Sequence, residues 1–170
     1  SLRETVASLT EVQVACLDVA LDALPVRDHP VVQDMDAPRF LTTQSAFSKI
    51  APPGAALVQI FKHLDPRVPG DVHADERELE QLLERVQPGW RDHLVKRVFL
   101  PRMQASGALP TAAAGGLSSR PGPRVPGLAN VFLAGDWIGS EGYLMDASLA
   151  SARAAAALAI APERTLAAVA

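Results

Sequence analysis

The chain has 170 residues, a formal net charge of -3 and 48% hydrophobic residues. That length serves one sizeable core or pieces of two domains, and falls short of what most two-domain enzymes need to close a cofactor site. The charge balance, without a Lys/Arg cluster, gives no long-range field to attract nucleic acid or anionic lipid, and Cys16, the only cysteine, excludes an intrachain disulfide and a cysteine-based zinc site.

A lone cysteine suits a reducing cytoplasm. The longest purely apolar run, residues 154–161, is far below the roughly 18 residues of a membrane-spanning helix, and no signal peptide opens the chain. A soluble cytoplasmic protein without an integral membrane segment is therefore expected. The start at Ser1 and the apolar fraction suggest a fragment with a cut face, although an Ala-rich composition gives the same fraction.

Residues 2–9 carry Leu2, Val6 and Leu9 at helical spacing and read as the tail of a helix. From Val12 the pattern alternates through Val14 and Cys16 and merges into Leu17, Val19 and Leu21, which predicts a strand and leaves a helix open, with Pro25 as its end. Two β-like runs come after the polar turn at 27–30, namely residues 39–50 and 55–64. Ala51, Pro52, Pro53 and Gly54 between them predict a hairpin in an antiparallel layer. Residues 65–71 form a Pro/Gly loop. Residues 73–86 form a surface helix, with Leu79, Leu82, Leu83 and Val86 on one face and charge on the other, stopped by Pro88 and Gly89. Residues 94–100 return to strand character. The long Ala/Gly/Ser/Pro stretch at 101–127 reads as disorder or as a loop that contacts a ligand.

Val131, Phe132, Leu133 and Ala134 form a short uninterrupted apolar run, the pattern of a core strand covered on both faces. Gly135 and Asp136 break it, Gly139 and Gly142 loosen the next stretch of backbone, and residues 145–160 are nearly all strong helix formers. In the order strand, glycine turn, helix, Asp136 falls at the carboxyl end of a strand. Open α/β sheets bind ligands there, and a carboxylate can accept hydrogen bonds from sugar or ribityl hydroxyls. Ala147, Ser148, Ser151, Ala152 and Ala155 would let the helix approach a flat ligand or a neighbouring strand closely. Spacing alone leaves both ligand binding and plain packing open.

Residues 126–137, Pro-Gly-Leu-Ala-Asn-Val-Phe-Leu-Ala-Gly-Asp-Trp, with residues 145–155, Met-Asp-Ala-Ser-Leu-Ala-Ser-Ala-Arg-Ala-Ala, resemble the C-terminal FAD-binding signature of the amine oxidase and phytoene desaturase superfamily. The strong resemblance covers about residues 125–157. The family pattern is a "pGLxNVFLAGDW" stretch, a variable glycine-containing loop and a helix opening "MEGAxxSGRxAA". Asp146, Ala147 and Ala152 stand here where the family has Glu, Gly and Gly.

The resemblance implies an α/β chain, more closely an α+β fragment: the C-terminal strand-helix of a doubly wound FAD-binding domain joined to an antiparallel-sheet substrate domain. Residues 1–110 would belong to the substrate domain, 111–127 to a linking loop and 128–161 to the FAD-binding domain. Gly135 and Asp136 would lie beside the ribityl chain and pyrophosphate of FAD. Met145, Asp146 and Ala147 would present backbone N–H groups to the isoalloxazine ring, with Tyr143, Leu144 and Ser148 around the same helix start. Trp137 would cover the flavin or fill the core.

The family's N-terminal βαβ unit with its G-x-G-x-x-G turn has no counterpart in this sequence. The expectation is therefore a truncation or one piece of a split enzyme, whose partner is the missing N-terminal half of the FAD-binding domain. The complete protein would hold FAD noncovalently and pass a hydride to it from a C–C or C–N bond of a small apolar molecule. The GDW form and the Ser151-Ala152-Arg153 ending favour a desaturase-like branch over an amine oxidase. The rival from another class is a noncatalytic pseudoenzyme fragment or interaction module.

Other residues carry less. Cys16 reads as a buried core residue rather than a reactive thiol. His29, His63, His73 and His93 lack metal-ligand spacing. Asp65, Asp71, Asp75 and Glu76 do not fit an EF-hand, and Ser140 fails the G-x-S-x-G nucleophile elbow. Arg102 is a candidate for the active-site side of the long loop. No residue is assigned as catalytic acid or base, and no metal is expected.

Overall fold

The computed structural model describes residues 2–161. Two compact units emerge, one spanning Val12–Ala105 and the other combining residues 2–11 with 106–161. The fold is mixed, an antiparallel sheet with helices.

In the Val12–Ala105 unit the alternating run becomes strand β1 (Val12–Leu21), and the helical alternative falls away. Strands β2 (Val31–Gln33), β3 (Arg39–Thr43), β4 (Ala56–His63) and β5 (Leu94–Ser106) complete a five-stranded sheet in the order β2-β3-β4-β1-β5. β1 and β4 pair antiparallel from Val14 opposite His63 to Leu21 opposite Ala56, and β3 pairs antiparallel with β4 from Arg39 opposite Lys62 to Thr43 opposite Val58. The hairpin around Pro52 and Pro53 is present, but its first strand ends seven residues earlier than the branched side chains suggest. A single 3-10 turn, Gln44–Ala46, comes after Thr43, and Phe47 and Ile50 are exposed. Neither side chain finds a buried face to stabilise an extended backbone.

Helix α2 (Val72–Val86) packs across β1, β3 and β4. Asp71 caps it by accepting hydrogen bonds from the N–H groups of His73 and Ala74. Leu79, Leu82 and Leu83 join Leu17, Val19, Leu21, Leu41, Val58, Ile60 and Trp90 in one core. Each such aliphatic side chain contributes about 1.5–3 kcal/mol by leaving water. The charged side of α2 is not simply solvated. Lys62 on β4 reaches Asp75 and Glu78 at 2.8 and 2.9 Å, and Arg97 on β5 pairs with Glu76 and Glu80, so bases on the strands meet acids on the helix. At the helix end the buried Gln87 accepts from the Val26 N–H at 2.9 Å and donates to the Val26 carbonyl at 2.8 Å. That two-way clamp satisfies a polar side chain in the core.

β5 runs past Leu100 through Pro101 to Ser106, longer than its apolar stretch suggests. Its edge position in the sheet tolerates a proline that cannot donate to a ladder. Arg102 therefore lies on a strand, with its guanidinium against Gly70.

In the other unit, helix α1 (Leu2–Ala7) is as short as a helix tail, and helix α3 (Leu144–Ile160) begins one residue before Met145. Residues 107–127 contain two 3-10 turns, Ala112–Ala114 and Gly116–Ser119. The expected core strand at 131–134 is corrected: among the described residues its only ladder contact is an isolated antiparallel bridge between Arg124 and Phe132. Val131 and Ala134 are exposed, while Phe132 and Leu133 are partly covered. A strand is defined by its neighbours, and an apolar run without paired edges stays merely extended. Among the described residues no helix is long and apolar enough to cross a membrane.

Candidate functional site

The site is built around the turn from Gly135 to the first turn of α3. Asp136 is held by one carboxylate oxygen: Ser106 Oγ donates to Oδ2 at 2.6 Å and the Gly107 N–H donates to the same atom at 2.9 Å. Both donors aim at Oδ2, so Oδ1 keeps its lone pairs for another donor. Trp137 folds back over the turn, and a Cβ on Gly135 would stand 3.0 Å from its Nε1. Gly135 has φ 155°, so the missing side chain matters twice, for the backbone conformation and for the indole against it.

Ser151, buried on α3, accepts from the Gly135 N–H at 2.9 Å and lies 3.0 Å from the carbonyl oxygens of both Gly135 and Ser148. Its hydroxyl fastens the turn to the second turn of the helix. Ser151 is thus more than a small residue permitting close approach.

Gly142 leads into α3 with φ 71°, and a Cβ there would meet Asp146 Cβ at 2.9 Å and the Ala147 nitrogen at 3.0 Å. Only glycine fits that approach. Leu144 then takes φ 48°, a left-handed value that a branched side chain tolerates poorly. The N-cap residue Tyr143 makes no side-chain capping bond, and Asp146 is the acidic residue of the first turn, at the helix dipole's positive end. Tyr143, Leu144 and Met145 are 60%, 57% and 74% exposed, which places a run of apolar surface at that end. Asp146 is also exposed, Ser148 Oγ donates back to the Leu144 carbonyl at 3.0 Å, and Ala147 is fully buried. The N–H groups of Asp146 and Ala147 both donate to the Tyr143 carbonyl, at 3.0 and 3.4 Å, so in this structure they are used within the helix start and do not face outward as the resemblance implied.

One residue absent from the sequence expectation belongs here. Arg120 donates from Nη1 to the Gly142 carbonyl at 3.0 Å and places its guanidinium over the Tyr143 ring at 5.6 Å. It is the only charged residue between Gly107 and Pro123, a signal in the sequence that could have singled it out. Ser106, the anchor of Asp136, carries no comparable signal.

The remaining candidates fall outside this cluster. Cys16 is buried in β1, where burial and then the neighbouring Asp18 carboxylate push its thiol up to about 12, making it a poor nucleophile. His63 stacks edge-on against Phe61, and His93 Nδ1 sits 2.8 Å from Asp22 Oδ1. Among the described residues no group of three His, Cys, Asp or Glu side chains could hold a metal ion.

Comparison with known proteins gives one solved structure: an oxidoreductase from Methanosarcina mazei is similar with a TM-score of 0.63 and 18% identity over 91% of this chain. The likeness shows the fold. The chain spans about a third of that protein's length, 36%. No protein-family profile and no curated protein matches.

Proposed function

We propose that this chain is the C-terminal portion of an FAD-dependent oxidoreductase, desaturase- or dehydrogenase-like, and that it supplies one half of the flavin site. The observation that carries this reading is the construction at the start of α3: a glycine turn, an uncapped helix end with exposed apolar residues, and Asp136 held with one carboxylate oxygen open. These residues fit a flavin cofactor. Asp136 Oδ1 would accept from a ribityl hydroxyl, while the helix end favours an electron-rich carbonyl of the ring system. Tyr143, Leu144 and Met145 would exclude water beside it. Bound flavin would supply the hydride acceptor.

The likeness to a longer oxidoreductase supports the reading of this chain as a portion of such a protein, since it matches about a third of that protein's length, 36%. The residues 1–110 would then contribute the substrate wall and 128–161 the flavin contacts. A small apolar molecule would be the substrate.

Mixing this chain with a polypeptide that carries the missing G-x-G-x-x-G unit tests the proposal. Flavin absorbance should co-purify with the pair and thermal stability should rise on adding FAD. Asp136→Ala should weaken FAD binding about tenfold, the scale of one charge-assisted hydrogen bond. If neither the chain alone nor the pair binds FAD, the noncatalytic reading replaces this one.

A further inference from the structure

We propose a second ligand site within the unit formed by residues 2–11 and 106–161: a pocket of about 270 Å³ that takes a small organic anion through Arg120. Leu9, Thr10, Leu109, Thr111 and Arg120 are among the residues that line it, so apolar, hydroxyl-bearing and cationic side chains meet at one pocket. None of its walls is acidic.

The chemistry rests on what Arg120 does and does not touch. Among the described residues no carboxylate lies within ion-pair distance of its guanidinium, and its buried Nε has no hydrogen-bond partner. One Nη1 bond to the Gly142 carbonyl and the Tyr143 ring fix the plane of the group, leaving further N–H donors in a fork that matches a carboxylate or phosphate. A partly desolvated cation without a counter-ion gains more from an arriving anion than a solvated one. Thr111 Oγ1 accepts the Ala114 N–H at 3.2 Å, so its own proton remains to donate. The volume is near the lower end for small-molecule pockets, and the leucines favour an anion carried on a compact apolar body over a bare ion. Benzoate binding is read without flavin, and Ala114→Phe leaves the Arg120 bond to Gly142 at the start of α3 untouched, so failure of this site and failure of the proposed function are distinguishable.

Benzoate is the probe, with benzamide as its neutral counterpart and inorganic phosphate as the bare oxyanion, titrated into the full isotope-labelled chain. Benzoate should shift the backbone amide resonances of Thr10, Leu109 and Thr111 saturably, with at least tenfold weaker binding of benzamide and weaker binding of phosphate. Arg120→Gln should reduce benzoate affinity at least tenfold. Ala114→Phe, which fills the exposed rim of the pocket and leaves Arg120 in place, should do the same and covers the case in which Arg120→Gln fails to fold. Equal binding of benzoate and benzamide, unchanged benzoate affinity in a folded Arg120→Gln or Ala114→Phe chain, or shifts confined to other residues would overturn the site. Phosphate binding as tight as benzoate would overturn the organic part of the assignment.

Discussion

Helices α2 and α3 are of similar length and are held by different physics. α2 buries Leu79, Leu82 and Leu83 against a sheet and meets the strands again through ion pairs. α3, two residues longer, buries only Ala147 and Ser151 and leaves Met145, Leu149 and Ile160 exposed. The Val12–Ala105 unit therefore stands on a large apolar core, whereas the unit containing α3 buries fewer large side chains, Val125 and Ile138 among them, and ties α3 down by backbone geometry and a few hydrogen bonds. A helix rich in alanine loses little entropy on forming, but without large side chains it relies on close approach. Glycine φ angles and a serine hydroxyl hold α3 to the turn before it, where leucines hold α2 to its sheet.

Substitutions at four positions probe that contrast, from the largest expected effect to the smallest. Trp90→Ala empties a fully buried site and should cost about 3–5 kcal/mol in chemical denaturation. A loss comparable to that of a surface residue would break the contrast outright. Gly142→Ala forces a side chain into a left-handed turn and against the Ala147 nitrogen, for a loss of roughly 2 kcal/mol. Hydrogen exchange should show the first turn of α3 opening most. If Gly142→Ala proved harmless, the turn would be more adaptable than its contacts indicate.

Ser151→Ala removes the hydroxyl that accepts the Gly135 N–H, and about 1 kcal/mol is expected. Ser151→Thr retains the hydroxyl, which separates the lost bond from lost packing. The smallest effect belongs to the α2 cap. The Ala74 and His73 N–H groups hold the Asp71 carboxyl below its usual range against the opposing pull of desolvation, with Arg77 adding to the lowering. A lowered folded pKa gives stability that is present above the unfolded value, about 3.9, and lost as pH falls through the folded one. Asp71→Asn keeps a capping oxygen and removes the titration, so melting temperatures below about pH 4 should fall less steeply than in the parent chain. An unchanged acid slope would show that Asp34 and Asp65, lowered for similar reasons, carry the dependence instead.

How much was legible depended on where the stabilising partner lies. The pattern Leu79, Leu82, Leu83, Val86 predicts α2 because a helix's apolar stripe is written within its own turns, and β1 is legible for the same reason. The run Val131, Phe132, Leu133, Ala134 misled, because composition reports only that a segment can be a strand while pairing needs a neighbour elsewhere. The extension of β5 through Pro101 was hidden in the converse way, since only its place at the sheet edge makes the proline acceptable.

The candidate site divides along the same line. Sequence by itself determined the glycine turn, the helix after it and the position of Asp136 between them, since these depend on backbone freedom and local propensity. Only the tertiary structure decided that Ser106 and Gly107 hold one oxygen of Asp136, that Ser151 bonds to Gly135, and that Arg120 reaches the start of α3. Those contacts join residues 16 to 30 positions apart, and a hydrogen bond depends on distances that no single-chain pattern encodes.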